Sequence, residues 1–189
     1  MKKPNDYDST SAGGYDYEPI ALGGHTAIIK EVKEVNSKAG KPLVVVYIDF
    51  DNNDVQAGYF KKMFEEDTRQ DKKWPYQAVQ YISVVDSKGN CSRSFKSFCT
   101  SYEESNGMKV NWDLQRWPEQ FKGKRLGVVY GEVEEEYNGE VKTRRRIRWN
   151  CDWNKAADAK IPNKRERERK APSYENAFMP VSDDEDVPW

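Results

Sequence analysis

The sequence predicts a mainly β fold, and three observations carry the prediction. Runs of β-branched and aromatic residues at strand length recur, "LVVVYIDF" at 43–50 being the densest. Asn138-Gly139 stands between two alternating runs, "RLGVVYGEVEEEY" at 125–137 and "EVKTRRRIRW" at 140–149. An Asn-Gly pair in that setting is the strongest short hairpin signal a sequence offers. Helical spacing is clear in one segment, where Phe95, Phe98, Cys99 and Tyr102 fall at i, i+3, i+4 and i+7.

Residues 1–17 are rich in Asp, Ser, Gly and Tyr and read as a disordered arm. Residues 25–36 read as a strand, "NSKAGKP" as a turn punctuated by Gly40 and Pro42, and 43–50 as a buried strand closing a hairpin. "VQAGYFKKMFEED" carries two periods. Val55, Ala57 and Tyr59 suit a strand while Phe60, Met63 and Phe64 suit a helix, so it reads as a strand turning into a short helix. "TRQDKKWP" is a polar loop, and 76–85 a third strand. Ser92 is a candidate N-cap for the helix through Tyr102, with Asn106-Gly107 as its stop. "WDLQRWPEQF" reads as a short helix interrupted by Pro118.

Hairpin, third strand, helix and closing hairpin is the order of an OB-like five-stranded Greek-key barrel with its helix between strands 3 and 4. An open antiparallel sheet with one helix gives the same string. Apolar patterning ends at Trp153. The expected organisation is therefore an arm at 1–17, a domain at 18–153, and a flexible linker with an acidic tail at 154–189.

Composition narrows the function. The chain has 189 residues, a third of them charged, with a mean hydropathy of −1.00, yet it carries six Trp and eleven Tyr. So many rings in so polar a chain suit a small core, an aromatic-bearing binding surface and solvated tails. The formal net charge is −1, but it is unevenly spread: residues 140–170 hold twelve Lys/Arg against five Asp/Glu, and the last eight residues hold four acids and no base. Such a split points to nucleic acid, a protein partner, or both. The longest apolar run, Leu43 to Ile48, is too short to span a bilayer, and no signal peptide is visible, so a cytoplasmic protein is expected. Cys91, Cys99 and Cys151 read as reduced thiols.

Two constellations are candidates for nucleic-acid contact. On an alternating strand Lys142, Arg144, Arg146 and Arg148 share one face, with Val141, Thr143, Arg145, Ile147 and Trp149 on the other. Cations two residues apart are spaced by about 6.6 Å, close to the phosphate spacing of an extended single strand. The alternative is a solvated face whose arginines pair with Glu132, Glu134 and Glu136 across the hairpin. The second constellation interleaves rings and cations: Tyr59, Lys61, Lys62, Lys72, Lys73, Trp74 and Tyr76. Single-strand binders need cations for phosphates and rings on which bases stack; the alternative is that the rings are core and the lysines ordinary surface.

Catalytic and metal readings are poor. His25 is the one histidine, and Cys91 and Cys99 lack zinc-ligand spacing. Asp49, Asp51 and Asp54 suggest a metal-dependent nuclease, but they lie at a strand end beside Asn52-Asn53, where turns normally are. No nucleophile–base set or phosphate loop stands out, so the expectation is no enzyme, no catalytic residue, no metal and no cofactor.

The chain ends in "SDDEDVPW". Asp183, Asp184, Glu185 and Asp186 can steer toward a basic rim, Pro188 lowers the ordering cost, and Val187 and Trp189 can fill an apolar pocket. A solubilising tail is the bland alternative. This tip resembles that of bacterial single-stranded DNA-binding proteins, a family that ends in an acidic stretch and Ile-Pro-Phe and uses it to recruit replication, repair and recombination proteins. Here Asp184 to Trp189 occupy the matching positions, with Val for Ile and Trp for Phe as departures.

The body resembles phage- and prophage-encoded proteins regarded as single-stranded DNA-binding proteins. The stretches that carry this are "YEPIALGGH", "GYFKKMFEEDTRQDKKWP", "FKSFCTSYEESNGMKVNW" and "FKGKRLGVVYGEVEEEYNGE", which together span most of residues 17–149. The resemblance implies an OB-type fold and a role in phage DNA metabolism, inside an infected or lysogenic bacterial host. It brings no motif of DNA-contacting residues. The expected partners are single-stranded DNA and, through the tip, a phage recombinase or annealing protein and host replication and repair proteins. The other class of function is an adaptor or inhibitor that mimics the tip without binding DNA.

Overall fold

A computed structural model of the chain describes residues 17–167, together with Lys2, Lys3, Asn5, Tyr7 and Asp8 of the arm. Seven principal elements follow in order: β1 (Gly23–Asn36), β2 (Pro42–Phe50), α1 (Tyr59–Glu66), β3 (Val79–Ser83), α2 (Arg93–Asn106), β4 (Arg125–Tyr137) and β5 (Glu140–Cys151). Short 3₁₀ turns occupy Tyr76–Ala78, Trp117–Phe121 and Trp153–Asp158. The strands form one five-stranded antiparallel sheet in the order β3-β2-β1-β4-β5.

Local chemistry explains most of these elements. Asn138 and Gly139 have φ values of 52° and 79°, the paired positive φ of a two-residue hairpin turn whose twist suits its strands. Ser92 caps α2, its Oγ accepting from the Phe95 N–H at 3.1 Å, and Gly107 ends it at φ 62°. Phe95, Phe98, Cys99 and Tyr102 all enter the core, and burial pushes the Cys99 thiol up to about 12. Across the sheet, Ile29, Val44, Val46, Ile48, Phe50, Leu126, Val128 and Tyr130 meet them, with Phe60 of α1 and Phe121.

Three expectations need correction. Residues 55–58 are turn, not strand: Val55 is 86% exposed, and Gly58 takes φ 64° just before α1. Pro118 lies in the first turn of the 3₁₀ segment and opens it rather than interrupting it, since its missing N–H is not needed there. The run at 43–50 is buried as expected: Val44, Val45, Val46, Ile48, Asp49 and Phe50 are buried, and Leu43 and Tyr47 half-buried. Val44, Val46, Ile48 and Phe50 join the core, so Leu43, Val45 and Tyr47 lie on the opposite face.

The third correction concerns the linker expected from residue 154. The 3₁₀ turn at Trp153–Asp158 buries Ala156, whose carbonyl approaches β1 so closely that a Cβ at Gly24 would stand 1.7 Å from it. β4 runs on past Tyr130, the partner of β1's first residue, and this leaves its edge at 132–134 open. Arg165 fills that edge: its N–H donates to the Glu132 carbonyl and the Glu134 N–H donates to its carbonyl, both at 2.9 Å. The segment 154–167 is thus held to the sheet at Ala156 and Arg165, the latter because unpaired backbone needs partners. The rest of that segment, including the expected docking residues Asp183 to Trp189, lies outside the described residues, as does most of the arm.

The two edge strands approach each other. Four antiparallel steps make β3 and β5 parallel. Gln80 Nε2 donates to Asn150 Oδ1 at 2.9 Å, and the Tyr130 hydroxyl donates to the Gln77 carbonyl at 2.8 Å. No helix among the described residues is long and apolar enough to cross a membrane.

Candidate nucleic-acid interface

A groove of about 1060 Å³ lies between α1, the 67–77 loop, residues 17–20 and β5. Among its lining residues are Tyr59, Lys73, Trp74, Tyr76 and Arg144, five of the residues that the sequence singled out from segments far apart in the chain. α1 supplies Tyr59 and Met63, one turn apart on one face. Tyr59's hydroxyl donates to the Glu18 carbonyl at 2.7 Å, and burial raises its pKa. Trp74 donates its indole N–H to the Ile48 carbonyl at 2.9 Å and packs beside Phe64, with ring centroids 5.4 Å apart. It is therefore a wall of the groove and also a prop for β2.

Tyr76 is 47% exposed and carries two guanidiniums: Arg144 Nη1 donates to its hydroxyl at 2.9 Å, and Arg146 lies over its ring at 4.0 Å. Cations on an aromatic face are held by the ring quadrupole. Arg144 and Arg146 also share a carboxylate. Arg146 Nε and Nη2 each donate to Glu135 at 2.6 Å, and Arg144 Nε lies 3.8 Å away. The bonds from Arg146 hold the Glu135 carboxyl below its usual range.

The cationic ladder expected on β5 is thus shortened and partly neutralised. Lys142 pairs with Glu140 at 2.7 Å. The register slips between Val129 and Tyr130, whose partners are Trp149 and Ile147, so Arg148 has no cross-strand partner and the alternation breaks there. Arg148 Nη1 donates to the Asn163 carbonyl at 2.9 Å and to the Glu132 carbonyl at 3.4 Å. Trp149, expected on the core face, is 41% exposed, and Val141 54%. The expected alternative pairing also differs: Glu135 is the acid on the arginines, while Glu134 and Glu136 pair with Lys164 and Arg167.

Lys61, Lys62 and Lys72 do not line the groove. Lys61 lies 3.8 Å from Glu65, Lys72 stands 4.7 Å over the Phe64 ring, and Lys62 is exposed. In their place the fold brings Arg145, Arg69, Tyr17, Pro19 and Ile20. Arg145, in sequence an anomaly on the inward face of β5, donates to the Ile20 carbonyl, reaches the groove, and has no ion pair among the described residues. Its one signal in the sequence is that a charge stands in an apolar series.

The three aspartates that suggested a nuclease are occupied by the fold. Asp49 accepts the N–H groups of Phe50 and Phe60, Asp51 accepts Asn53, and Asp54 accepts Thr26 and Gln56 and meets His25. Among the described residues no three His, Cys, Asp or Glu side chains are grouped so as to hold a metal ion.

Comparison with known proteins returns no match, either to a protein-family model or to a curated protein.

Proposed function

We propose that this chain is a non-enzymatic single-stranded DNA-binding protein with an OB-like domain and an acidic C-terminal tip that recruits partner proteins. The observation that carries the reading is the groove: Tyr59, Trp74 and Tyr76 share it with Lys73, Arg144 and Arg145. Every base has a face to stack on a ring, and every nucleotide has a phosphate to meet a cation, so this pairing holds single strands of any sequence. The OB-like reading draws support from the sheet edges. Gln80 of β3 bonds Asn150 of β5, and Tyr76, in the turn that leads into β3, bonds Arg144 of β5, at offsets of 70 and 68 residues, as side chains bridging a barrel seam would.

In this reading the protein coats single strands in a phage or prophage setting and delivers them to a recombinase, annealing protein or replisome. Asp183 to Asp186 steer the tip to those partners, and Val187 and Trp189 anchor it. One observation favours the adaptor reading instead, in which no DNA is bound: Glu135 neutralises Arg144 and Arg146. Fluorescence anisotropy with labelled oligo-dT over a salt series separates the two. With about three cations engaged, log K falls by about 2 per decade of salt. Absence of binding, with partner capture intact, leaves the adaptor.

A further inference from the structure

We infer that the outward face of β1, β2 and β3 is a second contact for the same single strand, an inference that rests on the reading above. The register sets residues in rows across the three strands. Lys33 faces Val45 and Val45 faces Tyr81; Glu31 faces Tyr47 and Tyr47 faces Val79. Direct cross-strand partners share a face, and the inward residues of β2 are Val44 and Val46. The β2 and β3 positions of these rows, Val45, Tyr47, Val79 and Tyr81, are apolar or aromatic where an uncovered antiparallel sheet is normally polar.

Tyr81 is 71% exposed, whereas Val45 between Lys33 and Tyr81 is 5% exposed. Val45 thus floors a shallow surface walled by a ring that stands free. Lys33 lies over the Tyr47 ring at 5.2 Å. Lys38 and Lys41 in the β1–β2 turn have no ion pair among the described residues and border the same end of the sheet. Lys33 itself pairs with Glu31 at 3.1 Å, but the free Tyr81 ring and the unpaired Lys38 and Lys41 beside an apolar floor fit stacked bases and their phosphates better than a protein partner, for which unpaired lysines at a rim add little.

Continuity with the groove identifies the occupant. Tyr76 lines the groove, and β3 begins three residues later, so Tyr76 and Tyr81 are at most roughly 17 Å apart along the chain. A strand leaving the groove beside Tyr76 runs directly onto Tyr81 and Tyr47.

The test uses the full chain, oligo-dT about fifteen nucleotides long, and photocrosslinking with 5-iododeoxyuridine. Tyr81→Ala is expected to fold, because the ring is exposed, and to raise Kd roughly 5- to 150-fold. Tyr81→Phe keeps the ring and restores affinity. Crosslinks fall on the peptides containing Tyr47 or Tyr81. Normal binding by Tyr81→Ala, with no crosslink on β2 or β3 while Arg145→Ala weakens binding, overturns this second contact and leaves the groove reading standing. A concentration-dependent dimer that Tyr81→Ala dissolves, with DNA binding unchanged, also overturns it, because the face is then an interface between copies. Absence of oligo-dT binding by the unaltered protein overturns both readings.

Discussion

His25 and Asp54 form a closed pair inside the fold: Nδ1 lies 2.9 Å from Oδ1, and the side chains are 1% and 5% exposed. The second ring nitrogen of His25 lies 2.9 Å from the Ala21 carbonyl, and the imidazole is stacked on Phe50 at 4.2 Å. The pair ties the segment leading from the groove wall at 17–20 to β1 and to the loop after β2. The chain's one histidine is thus built into the architecture.

The pair makes stability depend on acid. Burial works to raise the Asp54 pKa, but hydrogen bonds from His25, Gln56 and Thr26 outweigh it, and the carboxyl ends below its ordinary value. A depressed folded pKa contributes stability that is complete above about pH 4 and is lost as pH falls through the folded value. Asp54→Asn should therefore cost about 2–4 kcal/mol at neutral pH and flatten the acid limb in urea titrations.

Asp49 should show the opposite sign. Burial raises its pKa despite the N–H groups of Lys61, Phe60 and Phe50. For such a carboxyl the folded state binds the proton more tightly, so its contribution weakens as pH rises from the ordinary value through the raised one. Asn keeps the accepting oxygen, so Asp49→Asn should change neutral-pH stability by less than about 1 kcal/mol. Urea midpoints of both variants at several pH values check the contrast.

Trp74 and Tyr76 should separate stability from binding. Trp74→Ala removes the bond to Ile48 and packing against the core, and should cost about 2–4 kcal/mol. Tyr76→Ala removes a ring that is half exposed and should leave thermal unfolding nearly unchanged while weakening oligo-dT binding. If both variants bind oligo-dT normally in their folded state, neither ring stacks on a base.

Glu135→Gln should free the cations that Glu135 holds. Arg144 and Arg146 lose their shared carboxylate, and oligo-dT affinity should rise several-fold at low salt, with a salt slope steeper by about 0.7 for each further phosphate engaged. Anisotropy across a salt series reads both quantities.

Much of the fold was legible because its signals are local. The Asn138-Gly139 turn, the capped helix from Ser92 to Gly107 and the four-residue apolar face of α2 are dictated by neighbours in sequence. The break at Arg148 was not legible, since a bulge depends on how two strands share a length difference. Nor was the return of residues 163–167 to β4, which answers an open edge created far away in the chain. For the candidate site, residue types were readable and partners were not. Tyr59, Trp74 and Tyr76 stood out as rings, but only the fold brings them to Arg145 and turns Glu135 onto Arg146.

The tip makes its own prediction. Trp189→Ala should abolish capture of partner proteins while leaving oligo-dT affinity nearly unchanged, because the acids remain and the anchor is gone. Pull-downs alongside anisotropy read both. Retention of every partner by Trp189→Ala makes "SDDEDVPW" a solubilising tail.

On the proposed reading, the groove between α1, the 67–77 loop and β5 holds the single strand. Amide NMR of the labelled full chain, titrated with short oligo-dT, is the decisive experiment for that reading. Saturable shifts are expected at Tyr59, Lys73 to Gln77 and Thr143 to Arg145, together with the Trp74 indole N–H. Saturable binding whose shifts leave those residues unmoved would contradict it.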